Sequence, residues 1–209
     1  IQSKGVYVYN KHFALNDQEL QRQGLGTWCN EQAMREIYLR AFELPIVNAD
    51  AKCVMTAFNR IGAVWSGACS ELLTDWLRGE AGMTGFAVTE MYEGDYMRKP
   101  HEVLAGNDIP DNFPGTTGTG GTNSTTGDLG FEFAAYGPDG ATPNAAVARA
   151  MRESAHRILY TVLHSRGMDG FSADTQIVSV TPWWQMTLNM AMIALAVLSV
   201  LSIVLLVKD

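Results

Sequence analysis

Basic side chains are in short supply: 15 Lys and Arg stand against 22 Asp and Glu in a chain of 209 residues, a formal charge of −7. Binding a phosphate backbone needs a clustered basic surface, so nucleic acid is not expected as the main partner. Cysteine is scarce as well. Cys29, Cys53 and Cys69 are an odd set without metal-ligand spacing. They read as small buried residues and do not fix the redox compartment. The Gly/Thr/Ser run at 115–130 lacks the Gly-Lys-Ser/Thr ending of a phosphate-binding loop and reads as a flexible surface excursion. "HEVLA", residues 101–105, opens like a zinc-protease helix but has no second histidine. His156 and His164 fall two turns apart on a later helical stretch and read as surface residues.

Charge is absent altogether from Met186 to Val207. That is roughly the 20 apolar residues a helix needs to span a bilayer. Trp183 and Trp184 stand just before it, where an aromatic belt belongs. A core helix would carry a polar face, and a signal peptide would lie at the other end of the chain. Residues 185–207 are therefore expected to be a transmembrane helix, reached through a linker at 169–184. Residues 167–185 hold no Lys or Arg, whereas the tail carries Lys208. Lysine favours the cytoplasmic side. The expected arrangement is a single pass through the cell membrane, with residues 208–209 inside and the globular part, 1–168, outside.

That globular part alternates strand and helix signals. Short β-rich runs at Val6–Tyr9, Cys53–Ala57 and Phe86–Thr89 each end in a polar turn. In "NEQAMREIYLRAFELPIV", Ala33, Ile37, Ala41 and Leu44 share one helical face. In "SGACSELLTDWLRGEAG" the stripe is Cys69, Leu72, Leu73, Trp76 and Leu77, with Gly79 as a stop. A last helix is expected over about 144–166, with Val147, Met151, Ala155, Ile158, Leu159 and Val162 inward and Gly167 closing it. Alternation of this kind predicts an α/β fold with a parallel sheet and crossover helices.

Ligands of parallel α/β folds bind beyond the carboxyl ends of the strands. Here those ends bear Asn10, Lys11 and His12; Asn59 and Arg60; and Glu90 followed by Tyr92. The topology would gather them on one rim. A carboxylate among cations and amides suits a polyhydroxyl ligand, because the donors hold hydroxyls and the carboxylate stands where positive charge develops. Spacing by itself supports an α/β domain with a polar pocket and no more.

Five ordered segments carry a more specific signal: "KHFALNDQELQR", "NEQAMREIYLRAFELPIV", "VMTAFNRIG", "SELLTDWLRGEAGMTGFAVTEMY" and "HEVLAGNDIPD". From about Gly5 to Gly167 they resemble the barrel domain of glycoside hydrolase family 3, the β-glucosidase-like enzymes. The resemblance implies a (β/α)8 barrel, incomplete in this chain, and retaining hydrolysis of a β-linked glycoside or oligosaccharide. No metal or organic cofactor is implied. It also implies that Lys11 and His12 hold sugar hydroxyls, so that a strand ends where it must grip substrate. Met55 and Phe58 match the family's Met-Thr-Ala-Tyr-Asn motif, with Phe58 lacking the tyrosine hydroxyl.

The family's nucleophile motif, Gly-Phe-Val-Val-Ser-Asp-Trp, is matched by residues 85–91, which read Gly-Phe-Ala-Val-Thr-Glu-Met. Glu90 therefore stands at the nucleophile position, one methylene longer than the family's aspartate, and Met91 replaces the tryptophan. Retaining chemistry sets its two carboxyl groups about 5–5.5 Å apart, and a misplacement of about 1 Å can cost on the order of 100-fold in rate. Two readings follow: an active glycosidase with an adjusted pocket, or a degenerate, non-catalytic sugar-binding or scaffold protein at the membrane. A closed barrel needs eight strands in about 250 residues, and three strand signals precede the last helix. The start at Ile1 suggests a processed chain or a piece of a longer one. The absent barrel segment, and the second α/β domain that supplies the family's acid/base, are then expected upstream and would be partners of this chain.

Overall fold

The computed structural model describes residues 1–91, 96–111, 135–176 and 178–208. Tyr92 and the run at 115–130 lie outside the described residues, as does the terminal Asp209. Two compact units are present, Ile1–Asp169 and Gly170–Asp209.

The first unit is built on a three-stranded parallel sheet of β1 (Tyr9–Phe13), β3 (Cys53–Thr56) and β6 (Ala87–Val88), in that order across the sheet. Val88 also bridges in parallel to Ile109, which continues the sheet by one position. A smaller sheet joins β2 (Gly26–Thr27), β4 (Arg60–Ile61) and β5 (Val64–Trp65), with β4 central.

The first strand departs from expectation. It runs over Tyr9–Phe13 rather than Val6–Tyr9, so Lys11 and His12 belong to the strand instead of following it. Backbone pairing decides this. Tyr9 and Asn10 pair with Cys53 and Val54, and Phe13 pairs with Thr56, with an irregularity between Asn10 and Phe13. A bulge of that kind re-aims side chains without ending the ladder.

Two helical segments cover one face. Residues 31–49 form α1, an α-helical start at Glu31–Ala33, a π-helical stretch Met34–Leu39 and an α-helical end Arg40–Ala49. Its inward face is Met34, Tyr38, Leu39, Phe42 and Ile46. The predicted stripe is outside, with Ile37 65% and Leu44 42% exposed. The π-turn shifts the phase of the helix, so a 3.6-residue period extrapolated from Ala33 ends on the wrong side. The second helix, α2 (Glu71–Glu80), buries Leu72, Leu73, Trp76 and Leu77 as expected. It runs through Gly79, and the left-handed residue beyond it is Gly82. The Phe13 ring packs between these helices, 4.8 Å from Phe42 and 5.7 Å from Trp76 between centroids. Full burial of a phenylalanine of this kind contributes about 2–3 kcal/mol.

Helix α3 (Lys99–Ala105) ends on Gly106 in a left-handed conformation, φ 101°. A Cβ there would stand 2.7 Å from Thr74 Oγ1, so the turn back to the sheet needs glycine on two counts. Helix α4 (Ala145–Leu163) is capped by Asn144, whose side chain accepts from the amides of Ala146 and Val147. Of the expected stripe Val147 is buried and Met151 and Ile158 are half-buried, but Ala155, Leu159 and Val162 are exposed, and the other buried residues are Ser154 and Thr161. Polar side chains are tolerated inside because each is bonded. Ser154 Oγ donates to Asn107 O, and Thr161 Oγ1 donates to Arg157 O.

Arg157 reaches across to Asp108, which also receives Arg78 from α2 and the Ala87 amide from β6. A single buried carboxylate thus fastens two helices to the strand that leads to Glu90. Burial beside a second guanidinium pushes Arg78 down to about 10, against the pull of Asp108.

In the second unit, α5 (Trp183–Lys208) is apolar all round. Its segment Trp183–Val207 is long and apolar enough to cross a membrane, with mean hydropathy 2.9.

Candidate active site

The sheet is parallel, so its strands present their carboxyl ends on one side. Lys11 and His12 come from the bulged end of β1, and Glu90 lies two residues beyond Val88 at the end of β6. All three side chains converge. His12 Nε2 contacts Glu90 Oε2, and Lys11 Nζ stands 4.0 Å from the same oxygen. The Glu90 side chain is 8% exposed and that of Lys11 52% exposed, so the acid sits at the floor and the lysine at the mouth.

Burial pushes the His12 imidazole below its ordinary value, against the pull of Glu90, and Lys11 and Arg22 push the same way as burial. A neutral imidazole is thereby favoured at pH 7. Nε2 is the ring nitrogen that faces the carboxylate. Glu90 Oε1 also accepts from the Met91 amide at 3.3 Å.

The other sequence-derived positions separate by depth. Met55 lies on β3, half-buried and paired with Val88. Phe58 is wholly buried. Arg22 covers its ring at 4.4 Å, and Tyr96 donates to its carbonyl. Phe58 therefore backs Arg22 and shows no face of its own. Asn59 is not on the rim: it is buried, and its amide donates to Ala14 O and Thr27 Oγ1, tying β1 to the small sheet. Arg60 sits in β4, with its guanidinium 5.0 Å over Tyr96. The cysteines are unpaired, and Cys29 is exposed rather than buried. Cys53 is buried, and burial pushes its thiol up to about 11, an inert group.

Sequence reasoning passed over Asp111. It lies two residues beyond Ile109, the bridge partner of Val88, as Glu90 lies two beyond Val88. Its amide donates to Thr89 Oγ1 at 2.8 Å. Burial and the charge of Glu90 raise its carboxyl, and Lys11 lowers it. The signal was present in "NDIPD": a short apolar link after a helix, ending in an acid. It lacked the β-branched run that marks a strand.

No protein-family model matches the chain. Among curated proteins, a probable β-glucosidase I of Aspergillus flavus is 38% identical over 122 residues, 58% of this chain and 14% of that protein. β-Glucosidase A of Butyrivibrio fibrisolvens is 38% identical over 110 residues, 52% of this chain and 13% of its own length. Among solved structures, β-glucosidase 3B of Thermotoga neapolitana in complex with α-D-glucose superposes with a TM-score of 0.65 at 28% identity. That match covers 80% of this chain and 22% of the neighbour. A family 3 β-glucosidase of Bifidobacterium adolescentis gives 0.62 at 27%, over 85% and 23%. The chain thus spans about a seventh of the length of the curated relatives it matches. By sequence and by fold together, the chain is similar to part of the β-glucosidases, one of them a family 3 glycoside hydrolase.

Proposed function

We propose that the rim formed by Lys11, His12 and Glu90 is the sugar-binding end of a retaining glycosidase of β-glucosidase type. What carries the reading is the convergence of the three side chains from two separate strands at one end of a parallel sheet. The likeness to a structure holding glucose supports a glucose-sized ligand. Glu90 would attack the anomeric carbon, forming the carbon–oxygen bond of a glycosyl-enzyme as the bond to the leaving oxygen breaks. A carboxyl group outside this chain would protonate the leaving oxygen and then take a proton from the attacking water. Lys11 and His12 would donate to sugar hydroxyls, with His12 moving from Glu90 to substrate. Met55 and Phe58 would form the wall, Phe58 through the Arg22 it supports.

Residues 1–168 would be the C-terminal part of the barrel domain, 169–184 a linker and 185–207 the membrane anchor, with the sugar site outside the cell. The rest of the barrel and a second α/β domain would complete the enzyme.

A second reading, a sugar-binding protein without turnover, is favoured by one observation: the carboxylate at the nucleophile position is a glutamate already engaged by His12. A 2-fluoro glycoside with a good leaving group separates the two. The full-length polypeptide should be labelled, with the added mass on the peptide containing Glu90. Label elsewhere overturns the role of Glu90, and glucose binding in calorimetry without any label selects the second reading.

A further inference from the structure

The donors and acceptors at the rim do not balance. Lys11 can only donate. His12 Nε2 stands against Glu90 Oε2. In the proposed reaction Glu90 faces the anomeric carbon and is not free to hold a hydroxyl. A sugar ring presents O–H groups that need acceptors as much as donors, and these three residues leave that need open.

Asp111 meets it by position. The parallel bridge between Val88 and Ile109 leaves Glu90 and Asp111 each two residues beyond a paired position, close enough that the charge of Glu90 bears on Asp111. Its backbone is fixed by the bond from its amide to Thr89 Oγ1, and Thr89 in turn donates its own amide to Ile109 O. The residue is only partly buried, so its carboxylate is accessible. Both acids follow the carboxyl ends of neighbouring segments of one parallel sheet. They cannot bracket a glycosidic bond from opposite sides, as a nucleophile and an acid/base must. A hydroxyl-holding role remains.

We propose that Asp111 is a further substrate-binding residue of this site, its carboxylate accepting a hydrogen bond from a sugar hydroxyl beside Glu90. The proposal rests on the reading of the rim as a sugar site. Among the described residues, the groups whose charge bears on Asp111 are Glu90 beyond β6 and Lys11 on β1, and Asp111 in turn bears on Tyr9 of β1. Because burial and Glu90 hold the Asp111 proton on to higher pH than usual, the acceptor form is gained as pH rises through that raised value. Sugar binding gains strength over the same range.

The test is glucose titration calorimetry on the full-length polypeptide in detergent micelles, for the native protein, Asp111→Asn, Asp111→Glu and His12→Ala, at several pH values, with thermal melts of each. A hydrogen bond to a charged acceptor implies that Asp111→Asn weakens glucose binding on the order of 10- to 100-fold. It should also remove the rise of affinity with pH, while Asp111→Glu restores part of both. Melting of Asp111→Asn at pH 7 should match or exceed the native protein, since a raised carboxyl is a destabilising charge there. Native affinity and an unchanged pH profile in Asp111→Asn, with binding lost in His12→Ala, overturn the role of Asp111 and leave the sugar site standing. Lost binding together with a much lower melting temperature in Asp111→Asn marks a structural residue and overturns it as well. A native chain that takes up no glucose at any pH overturns the sugar site and the proposal together.

Discussion

At the scale of single residues, His12 and Asp108 carry opposite kinds of information. His12 has a depressed folded value because burial opposes its charge. In the unfolded chain it binds a proton at higher pH than in the folded one. Its contribution to stability is therefore present above about pH 6.5 and is lost as pH falls through the lower folded value. Melting temperatures measured across that window should fall toward acid, and His12→Gln, which keeps a donor and cannot titrate, should flatten this part of the profile. Asp108 is structural. It is wholly buried and bonded to Arg78 and Arg157. Asp108→Ala would leave two guanidinium groups half-desolvated without a counter-charge, at a cost of about 3–5 kcal/mol in urea unfolding. That effect should also reach Glu90, because the Ala87 amide of the same strand loses its acceptor.

At the scale of elements, a helix start is set by local sequence where helix faces and sheet pairing are not. Asn144 at the start of α4 accepts from two amides, and Asn144→Ala should cost about 1 kcal/mol by chemical denaturation. The stripe of α2 was legible because four bulky residues fall on one face whether the turn is α- or π-wound. The stripe of α1 was not, because a π-turn inside it rotates everything that follows. Nor was that of α4, where Ser154, Arg157 and Thr161 face inward. Their burial depends on Asn107 and Asp108, partners 47 and 49 residues away for Ser154 and Arg157. A hydrophobicity pattern contains no record of such partners.

At the scale of the whole molecule, the two units pose separate questions. An apolar helix without a polar face has no soluble core to enter within its own unit of 40 residues, Gly170–Asp209. The full chain should float with phosphatidylcholine vesicles in a density gradient, and a chain ending before Trp183 should stay at the bottom. Recovery of the full chain in the soluble fraction without detergent would contradict the anchor. The first unit holds three strands and a bridge of a parallel sheet, and the chain is similar in fold to part of a far longer β-glucosidase.

The amino-acid sequence by itself determined the fold class, the strands around Cys53–Thr56 and Ala87–Val88, the helices that follow them, and the apolar terminal helix. These depend on local periodicity, on turn chemistry and on motifs that survive as contiguous words. Only the tertiary structure decided that β1 carries Lys11 and His12 within its own ladder, that Asn59 is a buried brace, and that Asp111 follows the bridge partner of Val88. Each of those depends on backbone pairing between segments far apart in the chain, and pairing register is set by long-range hydrogen bonds, not by the residues of either segment alone.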